Sequence, residues 1–221
     1  MSPETNGFYA DISKLIADTR IGRPHVVILG AGASIAAFAD GDRNGYKLPM
    51  MSNLIETVTL GHELDRHGIT YEGRNFEEVY SELDKTLKQK RVIETINTKI
   101  WDYFSRLKLP DYPTIYDHLV LSLRDKDLIA TFNWDPFLYQ ACWRHNKKVK
   151  LPMVAYLHGN VSVGYCLTDM RKGLIGRRCS VCNKQYSPSK LLYPIDKRII
   201  AAIHLYKENG KLLEGIWNML I

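Results

Sequence analysis

The chain has 221 residues, 45% hydrophobic and 24% charged, a composition that belongs to an ordinary globular domain and excludes fibrous, collagen-like and disordered classes. No apolar run approaches the roughly 18–20 residues of a membrane-spanning helix, and the opening MSPETNGFYADISK lacks the charged-then-apolar pattern of an export signal, so a cytoplasmic protein without membrane contact is expected. The formal net charge of +6 suits an anionic ligand, while the basic clusters at Lys88–Arg91, Arg144–Lys150 and Arg171–Arg178 read first as solvated faces and only second as contacts for nucleic acid.

Helical spacing opens the chain at Phe8, Ile12, Leu15 and Ile16. HVVILGAGAS follows, which reads as a buried strand, Val26 to Leu29, running into a glycine turn at Gly30 and Gly32. The polar loop 39–49, ADGDRNGYKLP, is long enough to be mobile or functional. Residues 52–124 read as mostly helical. Ser52 offers a cap for a short helix, and Asn75 with Glu78 resembles a capping box before Phe76, Val79, Tyr80, Leu83 and Leu87. That pattern breaks near Gln89 and resumes to Leu107, and Thr114 with Asp117 forms a second box.

Asp127 to Phe132 reads as a second strand, after which Asp135 as N-cap and Pro136 as first helical residue predict a helix. Val154 to Leu157 reads as a third strand that ends at His158-Gly159. Short apolar strands alternating with helices predict an α/β fold with a Rossmann-like parallel sheet. One domain over 1–221 is expected, with a helical insert at about 52–124 and a cysteine module at about 160–190. Three strands make a narrow sheet and a helical pattern at Leu212–Leu220 closes the chain, so missing C-terminal strands and a longer parent protein are also expected.

Glycines after a strand let the backbone turn tightly and approach a phosphate, and the amides of the next helix face its charge. Gly30-Ala31-Gly32 lacks the third glycine of the dinucleotide fingerprint, so a nucleotide turn and a merely tight strand–helix turn stand side by side. Ligands of open α/β sheets bind beyond the carboxyl ends of the strands, where Asn133 falls in ATFNWDP. An uncharged amide that both donates and accepts suits a ribose hydroxyl or a water. Asp135 reads first as a turn cap. His158, at the third strand end, is a natural proton acceptor near neutral pH, although a lone histidine is more often structural.

GAGAS, Thr131-Phe132-Asn133-Trp134-Asp135 and Leu157-His158-Gly159, in that order, resemble the sirtuin (SIR2) superfamily. KLPMMSNL at 47–54, FNWD and LLYP at 191–194 look more like its bacterial SIR2-like branch of NAD-consuming antiphage defence proteins than its histone-deacylase branch. The resemblance spans about residues 24–195. It implies that Gly30, Ala31, Gly32, Ala33 and Ser34 cradle the NAD phosphates. It also implies that Asn133 contacts the nicotinamide ribose and positions the nucleophile, with Thr131 beside it, that His158 is the general base, and that Asp135 supports the Asn133 loop. The proline-aspartate-phenylalanine-arginine element of sirtuins is absent; AAFADGDRNGYKLP stands there, with Asp40 and Asp42 as weak substitutes, which counts against peptide deacylation.

Cys166, Cys179 and Cys182 cluster in the second half, which in a cytosolic chain favours metal over disulfides. Cys179-Ser-Val-Cys182 is a knuckle, and Cys166-Leu-Thr-Asp169 sits where sirtuins place their first cysteine pair. Asp169 completes four ligands for a structural zinc in a zinc-ribbon-like module; a metal-free ribbon and redox cysteines are the alternatives. Cys142, beside Trp143, reads as core.

The expected activity is NAD+ hydrolysis to ADP-ribose and nicotinamide, as the effector of a bacterial antiphage system, with NAD+ as substrate. A regulatory partner or fused sensor domain is expected to hold the trigger, and homo-oligomerisation is open. The alternatives are an NAD-dependent protein deacylase and an inactive module that binds nucleotide or nucleic acid.

Overall fold

The computed structural model describes residues 24–85 and 90–193. The patterns at Phe8–Ala17 and Leu212–Leu220, the break near Gln89 and the final Pro194 of LLYP lie outside those residues. The fold is mixed α/β. Strands β1 (Val26–Leu29), β2 (Leu128–Thr131) and β3 (Met153–Tyr156) form one parallel sheet in the order β1-β2-β3.

The register aligns the strand ends: Leu29 pairs with Thr131, and Thr131 with Tyr156. The next residue of each strand therefore emerges on one edge, and those residues belong to GAGAS, FNWD and LHG. β2 is shorter than expected because Asp127 leaves the ladder to pin its entry. The Asp127 carboxylate accepts from the amides of His25 and Arg124 at 2.8 Å each. β3 starts one residue early, at Met153, whose amide bonds the Asp127 carbonyl.

Ile129 at the sheet centre is fully buried, whereas Val26, Ile28 and Met153 on the opposite face are 62%, 68% and 58% exposed. Parallel sheets are normally covered on both faces. Here the second face is only partly covered, with Ala130 and Ala155 buried on it.

Helix α1 (Ala31–Ala37) follows Gly30 without a loop, so the expected glycine turn shrinks to one N-cap residue, with Gly32 already helical. The insert comprises α2 (Leu54–Thr57), α3 (Gly61–Arg66), α4 (Phe76–Lys85), α5 (Lys90–Ser105) and α6 (Ile115–Ser122). The residue before α2 is Asn53 rather than Ser52, and its side chain accepts from the Met50 amide instead of capping the helix. Asn75 does accept from the Glu78 amide at 2.9 Å, but the return bond joins the two side chains.

Phe76, Val79, Tyr80 and Leu83 of α4 lie on one helical stripe, as do Val92, Ile96, Ile100 and Phe104 of α5, and all are buried in one core. Each such burial contributes about 1.5–3 kcal/mol, which explains why this polar-faced segment folds onto the sheet.

Helix α7 (Phe137–His145) opens one residue later than predicted, with Pro136 in the N-cap position. It packs on α6 through a buried polar knot. Asp117 closes the Thr114 capping box and also accepts from Arg144 at 3.1 Å and His145 at 2.9 Å. Arg144, one of the basic-cluster residues, thus serves the fold. Cys142 is buried as expected, while Trp143 is 54% exposed.

Strands β4 (Val163–Cys166), β5 (Arg171–Leu174) and β6 (Ser187–Pro188) form a second, antiparallel sheet in the order β5-β4-β6. No helix among the described residues is long and apolar enough to cross a membrane.

Candidate functional site

At the carboxyl edge of the parallel sheet lies a cavity of about 270 Å³, and Ala31, Ser34, Asn133, Asp135 and His158 all line it. Leu48 and Pro49 bring the 39–49 loop into its wall, and Glu77 brings a carboxylate from α4. The amide of residue 133 and the imidazole of residue 158 therefore face one space.

Asn133 is held from three directions. Its own amide N–H donates to Thr131 Oγ1 at 3.0 Å, so Thr131 shapes the turn and stays behind the cavity wall. Its Nδ2 donates to Ser34 Oγ at 3.0 Å and to the Tyr116 hydroxyl at 3.4 Å. Ser34 Oγ in turn donates to Asp135 Oδ2 at 2.7 Å and lies 2.6 Å from the Tyr116 hydroxyl. Every bond of this cluster is buried. Asn133 Oδ1 alone has no partner, although the residue is only 7% exposed. A buried acceptor without a donor costs roughly 1–3 kcal/mol; Trp134, which also lines the cavity, has a buried indole N–H without a partner.

Asp135 sits one residue before the N-cap Pro136 and accepts from the Phe137 amide at 3.3 Å, closing the turn, while its other oxygen takes the Ser34 hydroxyl. Complete burial pushes its carboxyl up to about 6, against which the Ser34 and Phe137 hydrogen bonds act.

The loop that carries Asn133 is anchored by its neighbour. Trp134 packs edge-on against Phe104 at 5.5 Å and Tyr193 at 5.0 Å, and Tyr193 also meets Tyr80 at 4.4 Å. A tryptophan after the strand thus plugs the loop into the insert core, and the LLYP tyrosine completes the plug. Asn160, immediately after LHG, donates from Nδ2 to the Asp135 carbonyl at 2.6 Å and ties the two strand ends together.

His158 is half-buried, with its ring edge-on to Phe132 at 4.9 Å. Burial lowers its pKa below the ordinary imidazole value, which leaves the ring neutral near pH 7 with a basic nitrogen. Gly159 is required by the fold. Its φ is +78°, and a Cβ there would meet the Lys190 carbonyl oxygen at 2.7 Å. The GAGAS glycines differ: neither has a positive φ, and a Cβ at Gly30 or Gly32 meets nothing within 4 Å. Nothing inside the chain demands glycine there. Gly30, Gly32 and Ala33 are not among the cavity-lining residues, whereas Ala31 and Ser34 are, and Ser34 turns its hydroxyl to Asp135.

Asp42 and Asp40 stay away from this wall. Asp42 spends its oxygens on the amides of Asn44, Tyr46 and Lys108, which staples the 39–49 loop to the end of α5. Asp40 is exposed and engages Lys47 through its backbone carbonyl.

The cysteine module forms a second site. The Sγ atoms of Cys166, Cys179 and Cys182 and a carboxylate oxygen of Asp169 all lie within 4.8 Å of one another. Cys166 Sγ is 3.4 Å from Cys182 Sγ, and the Cys166 and Cys179 thiols donate to Asp169 Oδ2 at 3.4 and 3.1 Å. A tight turn through Asn183, at φ +60°, brings the knuckle pair together. Three soft thiolates and one carboxylate at tetrahedral spacing fit a closed divalent-metal site with zinc chemistry.

Tyr116 and Asn160 were not legible as site residues. Tyr116 stands two residues after the Thr114 cap and Asn160 directly after Gly159, and neither position alone marks a partner for a residue as distant as Ser34 or Asp135. No protein-family model matches this chain, and no curated protein matches it.

Proposed function

We propose that the chain is an NAD+ glycohydrolase with a Rossmann-like, SIR2-like nucleotide site, which cleaves the nicotinamide–ribose bond to nicotinamide and ADP-ribose. The observation that carries the reading is that Asn133, whose buried Oδ1 has no partner, lines the same cavity as His158. An acceptor and a neutral imidazole on one wall suit a ribose hydroxyl or an attacking water, each of which brings a proton to give.

Cleavage expels a neutral leaving group and builds oxocarbenium character on the ribose. The enzyme's tasks are to hold the sugar, exclude bulk water and orient one nucleophile. Asn133 Oδ1 takes the hydroxyl or water proton as a hydrogen bond. His158 removes a proton as the new C–O bond forms, a contribution of about 10²–10⁴-fold. Apolar walls from Leu48, Pro49 and Phe104 shield the ribose.

A cavity of about 270 Å³ is below the roughly 300–1,000 Å³ of sites that enclose a drug-sized ligand. It suits the nicotinamide riboside end, with the phosphates along the open Gly30–Gly32 edge, where glycine leaves room. Zinc, when bound by Cys166, Asp169, Cys179 and Cys182, would cross-link the antiparallel module; a closed site leaves no coordination position for catalysis. Because unregulated NAD+ loss is toxic, the reading includes control by a fused sensor or a partner, as in an antiphage effector.

The test is incubation of the protein, alongside any longer parent chain, with NAD+ and chromatography for nicotinamide and ADP-ribose. Release without any acyl peptide supports hydrolysis. Release only with an acyl-lysine peptide makes the chain a deacylase, and no release from either form overturns the catalytic reading.

A further inference from the structure

Proton bookkeeping in the cluster around Asn133 has one solution while Asp135 is ionised. The carboxylate has no proton, so the Ser34 hydroxyl donates to it. Ser34 Oγ then has only lone pairs for the Tyr116 hydroxyl, 2.6 Å away, and for Asn133 Nδ2, 3.0 Å away. Tyr116 must therefore donate to Ser34, and its oxygen is left as a second, longer acceptor at 3.4 Å for the Nδ2 proton that points at Ser34. Turning the amide over would bring Oδ1 against two oxygens with no proton to offer it. Amide orientation is fixed by such networks and not by shape, since the two ends of the amide are nearly isosteric.

We propose that Tyr116 is a positioning residue for this site: with Ser34 it holds the NH2 of Asn133, a residue that lines the cavity, in the buried cluster and leaves its carbonyl oxygen as the free acceptor. The inference rests on the hydrolase reading for its kinetic consequence and deepens it by naming what the site selects. The point opposite Oδ1 takes a proton donor, a hydroxyl or a water, and rejects a carbonyl or phosphate oxygen. Tyr116 itself is 2% exposed and is not among the cavity-lining residues, so it acts through Ser34 and Asn133. Burial, first, and the nearby Asp135 charge hold its phenol far above the ordinary value, so it stays a donor across the working pH range.

Tyr116→Phe removes the donor to Ser34 and the longer of the two acceptors of Asn133 Nδ2 while keeping the ring. It is expected to lower kcat for NAD+ by about tenfold, the equivalent of about 1.4 kcal/mol, and to leave KM within about threefold. A loss of packing would instead lower stability and leave the amide alone.

The deciding measurement is the Asn133 side-chain amide in ¹⁵N-labelled protein, identified by its disappearance in Asn133→Ala. In the wild type the Nδ2 proton shared by Ser34 and Tyr116 is expected to exchange slowly and to show cross-relaxation to the Tyr116 ring; in Tyr116→Phe it exchanges at least about tenfold faster. An amide that is unprotected or distant from the Tyr116 ring in the wild type overturns the proposal without any variant. So does a Tyr116→Phe protein with unchanged amide exchange and unchanged kcat. A locked amide in a protein that cleaves no NAD+ leaves the Tyr116 assignment standing and sinks only the hydrolase reading.

Discussion

The two candidate sites are built in opposite ways. The cysteine module gathers its four ligand groups from 17 consecutive residues, 166 to 182, through one antiparallel hairpin and one tight turn. The strand-end cluster joins Ser34, Tyr116 and Asp135, with Ser34 and Asp135 101 positions apart in sequence. A local site is specified by spacing, while a distributed one exists only once the sheet register is set. Failure of the first should therefore cost stability, and failure of the second should cost chemistry.

The sharpest separation comes from the strand ends. Asn133→Ala and His158→Ala are each expected to reduce nicotinamide release by at least about 10²-fold, with an unchanged far-ultraviolet circular dichroism spectrum. Full activity in both variants would remove the site assignment. At the other pole, Cys179→Ser or Cys182→Ser is expected to abolish zinc co-purification, measured by plasma emission, and to lower Tm by several degrees. Activity below that Tm should survive; a stable, metal-free wild type would strike out the zinc reading.

A subtler break uses protons. Asp135, pushed up to about 6 by burial, and His158, held below the ordinary imidazole value by the same cause, both carry the wrong proton in acid. Nicotinamide release should fall as pH drops through about 6. The stability sign is opposite for Asp135: its folded-state pKa is raised, so its contribution is largest in acid and is lost as pH rises from the unfolded value of about 3.9 through about 6. Asp135→Asn should flatten that slope in a series of thermal melts while lowering the rate at pH 7.5.

The smallest effects test the glycines. Gly32→Ala fits the fold and replaces a helical glycine, so stability should rise by up to about 1 kcal/mol while the KM for NAD+ increases. Gly159→Ala should instead destabilise, because its Cβ meets the Lys190 carbonyl and its φ is positive. Unchanged NAD+ kinetics in Gly32→Ala would mean that the open edge does not approach a ligand.

Much of this architecture was legible from local pattern. Val26–Leu29 is the strand that its apolar run predicts, Thr114 and Asp117 form the predicted box, and the CxxC spacing points to the metal-type cluster. Other signals were read in the wrong role. Asp42 looked like a loop candidate for chemistry and is a backbone staple, and Arg144 looked like part of a basic face and is an ion-pair partner inside the fold.

What the amino-acid order determined by itself was periodic and short in range: strand, cap, knuckle, and the strand-end place of Asn133 and His158, because those depend on neighbours within a few residues. Only tertiary structure decided that Tyr116 would meet Asn133 and that one amide oxygen would be left without a partner. Hydrogen-bond polarity is a property of a closed three-dimensional circuit, and no stretch of the chain carries enough of that circuit to reveal it.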